Sequence, residues 1–235
     1  MKTIDRRRFL QIGTTGTALS FATGTSRSVA AATQPVFSEQ DVRLSGDGLG
    51  LTPTASIELL ARLTDENAIA SDSYSNGGVV EELEHAFAKA LGKERAVFMP
   101  TGTLANHLAV RMLAGGPSRA IVQAESHLYN DTGDTVQTLS DIQLVPLAFG
   151  QATFTLDDVR ALLDRTASGR VSTPVSVISI ESPVRRKSGE AFDEMEMDRI
   201  TAFARQEAIR THLDGARIFL QAGFTGRSVA DYARS

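Results

Sequence analysis

Val175-Ser176-Val177-Ile178-Ser179-Ile180 is a short β-branched run with the composition of a buried strand, and the segments on either side of it decide the fold. Downstream, Met197, Ile200, Phe203 and Ala204 recur at helical spacing, and Ile209 to Leu213 reads as a further strand. Upstream, Thr155 with Asp158 forms a capping box ahead of a helix face made by Leu156, Val159, Leu162 and Leu163. Gln143-Leu144-Val145-Pro146-Leu147 and Ala120-Ile121-Val122-Gln123-Ala124 are two more strand candidates. Between Thr101 and Gly115-Gly116-Pro117, a helical pattern places Leu104, Leu108 and Met112 on one face. Arg95-Ala96-Val97-Phe98-Met99, halted by Pro100, predicts a strand. Val80, Leu83, Phe87 and Ala90, with Gly92 at the C-cap position, predict a helix. Strands alternating with helices imply an α/β fold of three layers, a mostly parallel sheet with helices on both faces.

Composition narrows the function classes. A chain of 235 residues suits one α/β domain, or a large domain with part of a second. With no Cys there is no disulfide framework, thiolate nucleophile or Cys-based zinc site; with only 4 His, any metal site would need carboxylates, and none is expected. A formal charge of −4 gives no basic footprint for nucleic acid. No G-x-G-x-x-G follows a strand, which argues against a dinucleotide-binding Rossmann domain.

The N-terminus reads as a targeting segment. Asp5-Arg6-Arg7-Arg8-Phe9-Leu10-Gln11 is a twin-arginine block, a weakly apolar stretch follows to Ala22, and Ser28-Val29-Ala30-Ala31-Ala32 offers small residues for a signal peptidase. Residues 1–32 are therefore expected to be a twin-arginine signal, with the body exported to the periplasm or another extracytoplasmic space and free of the membrane once the signal is removed. The apolar stretch is shorter than the ~20 residues a membrane span requires. Removing Lys2, Arg6, Arg7, Arg8 and Arg27 together with Asp5 takes the formal charge from −4 to −8. Residues 33–76 read as an N-terminal arm and 77–235 as the large domain.

Three constellations follow strands, where ligands bind in open α/β sheets. Pro100-Thr101-Gly102-Thr103 offers backbone N–H groups and hydroxyls at a helix N-terminus, suited to a phosphate, and equally suited to plain N-capping by Thr. Glu125-Ser126-His127-Leu128-Tyr129 offers an imidazole that either stacks on a cofactor ring or is a satisfied structural residue. In Thr211-His212-Leu213-Asp214-Gly215-Ala216-Arg217, His212 and Asp214 share a strand face. A carboxylate arriving at the end of a buried strand needs a partner. That partner is either Arg217 or a ligand cation such as a protonated pyridine nitrogen.

Phe98-Met99-Pro100-Thr101-Gly102-Thr103-Leu104-Ala105-Asn106, His127 and His212-Leu213-Asp214-Gly215-Ala216-Arg217, in this order and spacing, resemble the threonine aldolase and aromatic amino acid β-eliminating lyase family of fold-type I pyridoxal 5′-phosphate enzymes. Asp72-Ser73-Tyr74, Glu82-Leu83-Glu84, and Gly46-Asp47-Gly48 with Thr52-Pro53-Thr54 resemble further family segments. The resemblance implies that Thr101, Gly102 and Thr103 hold the cofactor phosphate, and that His127 stacks on the pyridine ring. It implies that Asp214 pairs with the ring nitrogen, and that Arg217 bonds the ring's phenolic oxygen or the substrate carboxylate. His127, Asp214 and Arg217 are thus the expected catalytic residues. The reaction implied is aldol cleavage of a β-hydroxy amino acid to glycine and an aldehyde. The alternatives are β-elimination from a β-substituted amino acid, or an inactive exported domain that only binds. A homodimer or homotetramer is implied as well. After Glu181 the chain reads Ser182-Pro183-Val184-Arg185 where the family usually has Asn-Thr-His-Asn-like residues, and Asp131 is the carboxylate nearest to the Glu expected after His127. The lysines are Lys2, Lys89, Lys93 and Lys187, none at the family's cofactor-lysine position after Arg217. The resemblance therefore implies a large domain incomplete at its C-terminus, without the cofactor lysine and the small C-terminal domain, and inactive as it stands.

Overall fold

The computed structural model describes residues 51–66, 69–171 and 173–234. The expected signal, Gly46-Asp47-Gly48 and the arm as far as residue 50 lie outside the described residues. The chain divides after Glu66. Before that division lies helix α1 (Pro53–Asp65), in which Thr52 accepts the Ala55 N–H at 3.2 Å and Pro53 occupies the first turn, where no amide proton is required.

After the division come α2 (Gly78–Leu91), α3 (Gly102–Ala114), β1 (Ser118–Gln123), α4 (His127–Asn130), α5 (Thr135–Ser140), β2 (Ile142–Leu147), α6 (Leu156–Ala167) and β3 (Val175–Glu181). A 3₁₀ turn at Arg185–Lys187 then leads to α7 (Glu194–Gln206), β4 (Arg210–Asp214), α8 (Ile218–Thr225) and α9 (Val229–Tyr232). The four strands form one parallel sheet in the order β2-β1-β3-β4. Because side chains alternate along a strand, neighbours on one strand serve opposite layers. Ile121, Ile178 and Ile180 meet Phe154, Val159, Leu162, Met197 and Ile200, under α6 and α7. Ala120, Val122 and Val177 meet Val110, Leu128 and Val136, under α3, α4 and α5. Burying each large aliphatic stabilises by about 1.5–3 kcal/mol, so the two-sided burial of β1 and β3 anchors the three-layer architecture that the alternating pattern implies.

Local signals explain the element ends. The Thr155–Asp158 capping box is formed in both directions. Gly92 and Gly115 close α2 and α3 with φ of 62° and 71°. Pro146 sits in β2, an edge strand, where its missing N–H is tolerated.

Three details depart from the sequence reading. Arg95–Met99 is not a strand: no described strand pairs with it, Val97 and Phe98 are exposed, and the Phe98 N–H donates to Glu84 Oε1 at 2.7 Å. An apolar run becomes a strand only where a neighbour offers a ladder. In α3 the buried residues are His107 and Val110 while Met112 is exposed, so the helix presents a face rotated from the Leu104–Leu108–Met112 stripe. In α2 only Ala88 is buried; Leu83 and Phe87 stay exposed, with Phe87 meeting the Phe219 ring edge-on at 6.1 Å.

Candidate active site

Parallel strands bring their carboxyl ends to one edge of the sheet: Glu181 and Asp214 end β3 and β4 there, His127 follows β1, Arg217 follows β4, and Thr101 to Thr103, which follow no described strand, are tied in through Asn106 of α3. β3 and β4 are in register so that Glu181 stands opposite Asp214. Both carboxylates are buried. Asp214 Oδ2 accepts from Asn106 Nδ2 at 2.6 Å and Oδ1 accepts from the Ala216 N–H at 3.2 Å. These two donors are neutral, so they orient the carboxylate without cancelling its charge. Asn106 stands one turn along α3 from the Thr101–Gly102–Thr103 segment, and α3 packs against β3 and β4. The bond to Asp214 thereby fixes the start of α3 relative to the end of β4.

Thr101 Oγ1 accepts the Leu104 N–H at 3.2 Å, so Thr101 is a helix N-cap in fact. Capping does not preclude an anion, because the N–H groups of Gly102 and Thr103 make no hydrogen bond among the described residues. A Cβ built on Gly102 would meet nothing within 4 Å, which leaves the helix start open to approach.

His127 opens α4 behind its N-cap, Ser126, and its backbone N–H donates to Glu181 Oε2 at 2.5 Å. Its ring atom Nδ1 is buried with no hydrogen-bond partner among the described residues. A buried ring nitrogen without a partner is unusual in a finished core. Glu181 Oε1 accepts the Arg185 N–H at 2.8 Å. Burial pushes the Glu181 carboxyl above its ordinary value of 4.5; the two backbone N–H donors pull it back, and the Asp214 charge raises it again. Gln123 secures the strand end: its Oε1 accepts the Glu181 N–H at 2.8 Å, and its Nε2 donates to the Glu181 and Ala152 carbonyls at 2.7 and 3.0 Å. His212 Nδ1 meets Ser179 Oγ at 2.8 Å, and burial holds the imidazole below its ordinary 6.5 while the Asp214 charge pulls the other way. Arg217 is the N-cap of α8, and its carbonyl accepts from Leu220 and Gln221.

The structure therefore sets Asp214, bonded to Asn106 of α3, in register beside Glu181, which is bonded to His127. Sequence reasoning gave no role to Glu181, Asn106 or Gln123. Glu181 had a usable signal, since it too is a carboxylate ending a buried strand, the argument that singled out Asp214. Among the described residues there is no His, Asp and Glu cluster suited to a metal.

The chain matches a known family. Residues 54–235 match the profile of the β-eliminating lyase family, and the chain belongs to it. The low-specificity L-threonine aldolase of Saccharomyces cerevisiae is 27% identical over 183 residues, covering 77% of this chain and 46% of that protein. Alanine racemase TOXG of Cochliobolus carbonum is 27% identical over 159 residues, covering 66% of this chain and 39% of that protein. The crystal structure of a Listeria monocytogenes EGD-E protein, provisionally assigned as an L-allo-threonine aldolase, superposes with a TM-score of 0.67 at 30% identity, covering 81% of this chain and 50% of that one. The chain thus spans about half the length of the relatives it matches.

Proposed function

We propose that this edge of the sheet binds pyridoxal 5′-phosphate, and that the whole protein is a lyase of amino acids, cleaving a β-hydroxy amino acid such as threonine to glycine and an aldehyde. The observation that carries the reading is Asp214: a buried carboxylate held by two neutral donors, beside a second buried carboxylate, is suited to a cationic ring nitrogen. The partnerless Nδ1 of His127 and the open approach to Gly102 fit the same group.

The residues then divide the work. The N–H groups of Gly102 and Thr103, with the hydroxyls of Thr101 and Thr103, hold the phosphate at the start of α3. His127 covers a face of the ring and excludes water from it. Asp214, kept in place by Asn106, holds the proton on the ring nitrogen. Arg217 binds the ring's phenolic oxygen or the substrate carboxylate. Bound there, the cofactor supplies an electron sink for the pair left at the substrate Cα. None of the lysines in these 235 residues, Lys2, Lys89, Lys93 and Lys187, follows Arg217, where the resemblance places the cofactor lysine, so we read the 235-residue chain alone as a noncovalent binder. Export by the twin-arginine route and assembly as a homodimer or homotetramer complete the proposal.

The test uses the whole protein with each threonine diastereomer. Acetaldehyde with glycine is the expected product, and Asp214→Asn should lower the rate at least a hundredfold. Pyruvate with ammonia from a β-substituted amino acid would move the assignment to β-elimination, and interconversion of alanine enantiomers to racemisation. Full activity in Asp214→Asn would remove the reading.

A further inference from the structure

We propose that Glu181 is a positioning residue: its single carboxylate clasps the loop after β1 to the loop after β3, and so sets the place of the His127 ring against the cofactor. This deepens the assignment of the site and rests on it.

The geometry is specific. One oxygen of Glu181 takes the N–H of His127 at 2.5 Å, the other takes the N–H of Arg185 at 2.8 Å, and those two residues are far apart in sequence. His127 begins α4 and Arg185 begins the 3₁₀ turn, so the carboxylate stands at the first N–H of two separate elements. The strand beneath is fixed by Gln123 on both sides of the Glu181 peptide, which leaves the carboxylate little freedom to follow a loop that moves. An outer layer repeats the join: Asp131, just after α4, pairs with Arg185 at 2.5 Å and with Arg186 at 3.3 Å, and Arg186 also lies 4.0 Å from Glu125. That outer layer is half exposed and individually weak. The inner one is buried, where a charge-assisted bond is stronger and its loss costs more.

The titratable and charged groups around Glu181 are Asp214 on β4, the His127 ring on α4, and the Arg185, Arg186, Asp131 and Glu125 cluster of the two loops. A glutamine cannot replace the clasp. Whichever way its amide lies, its NH₂ faces one of the two N–H donors, so one loop must be released. An aspartate is one methylene too short to reach both.

The experiment follows the backbone amides of His127 and Arg185 by NMR in the ligand-free 235-residue chain between pH 4 and 8, then titrates the chain with pyridoxamine 5′-phosphate, which needs no covalent bond. In the wild type both amides should show a common midpoint above 4.5, since both report the same carboxylate, whatever the His127 ring adds at its own amide. Glu181→Gln should abolish that shared titration, speed exchange at one of the two amides at least tenfold, and weaken pyridoxamine 5′-phosphate about tenfold. Asp131→Asn, which removes only the outer layer, should leave the shared midpoint in place. The absence of any midpoint common to the two amides in the wild type, which needs no variant to fold, would overturn the clasp. So would a shared titration that survives Glu181→Gln. Loss of the titration with unchanged ligand affinity would overturn the positioning role. A wild-type chain that shows the shared midpoint but binds no pyridoxamine 5′-phosphate overturns the cofactor assignment, and the positioning role with it.

Discussion

His212 illustrates how one residue on β4 couples stability to acidity. Burial pushes its imidazole below 6.5, against the pull of Asp214, and Ser179 Oγ stands at Nδ1. Below pH 6.5 the unfolded chain binds a proton at this position more readily than the folded chain does. Stability from His212 is therefore fully present above 6.5 and is lost as pH falls through the lowered folded value. Glu181 acts in the opposite sense, because its carboxyl is held above 4.5 and its share of stability falls as pH rises from there. Replacing His212 with Asn keeps a polar group for Ser179 and removes the imidazole. The slope of unfolding temperature against pH between 5 and 6.5 should then be less positive than in the wild type; an unchanged slope would rule out this coupling. At this scale the sequence was partly legible. His212 and Asp214 could be placed on one strand face, because strand alternation is local. Asn106 as the donor to Asp214 could not, because the bond joins residues 108 positions apart and depends on how α3 crosses β4.

Among the elements, the start of α2 makes the sharpest demand on its sequence. Gly77 and Gly78 have φ of 73° and 58°, both in the left-handed region that disfavours a side chain. They differ in surroundings: a Cβ on Gly77 meets nothing within 4 Å, whereas one on Gly78 falls 2.6 Å from the Ser71 carbonyl oxygen. Gly77→Ala, at a ψ of −172° that lies in a region essentially reserved for glycine, should cost about 1–3 kcal/mol from backbone strain alone. Gly78→Ala adds a clash with the Ser71 backbone to its strain and should cost more than the about 1 kcal/mol that left-handed strain alone accounts for; urea unfolding decides, and a cost of about 1 kcal/mol would show that Ser71 yields freely. Elements carrying their own punctuation were readable in advance, as the capping box of α6 and the glycine ends of α2 and α3 show. The segment 95–99 was not, because whether an apolar run pairs is settled by distant chain. Nor was the buried face of α3, where His107 reaches Ser140 Oγ at 2.7 Å and takes a core position that hydrophobic periodicity assigns elsewhere.

For the whole molecule, the strand order decides where resistance to opening lies. β1 and β3 are flanked on both sides and buried on both faces, whereas β2 and β4 form the edges. Amide exchange followed by mass spectrometry should therefore find Ile121, Val122, Val177 and Ile178 slowest, opening only with global unfolding, and β2 and β4 faster by at least tenfold. Uniform rates across the four strands would mean the sheet opens as one unit. Among the described residues no helix is long and apolar enough to cross a membrane.

The register that sets Glu181 beside Asp214 also orders events during synthesis. Thr101, His127, Glu181 and Asp214 leave the ribosome at widely separated times, and the edge they share exists only once β4 has docked on β3. A growing chain, adding about 5–20 residues per second, thus passes through several seconds in which the helix start at Thr101 is already made and nothing faces it. The edge is complete only after β4 has left the exit tunnel and docked, so any ligand that needs both the α3 start and Asp214 would bind after that moment.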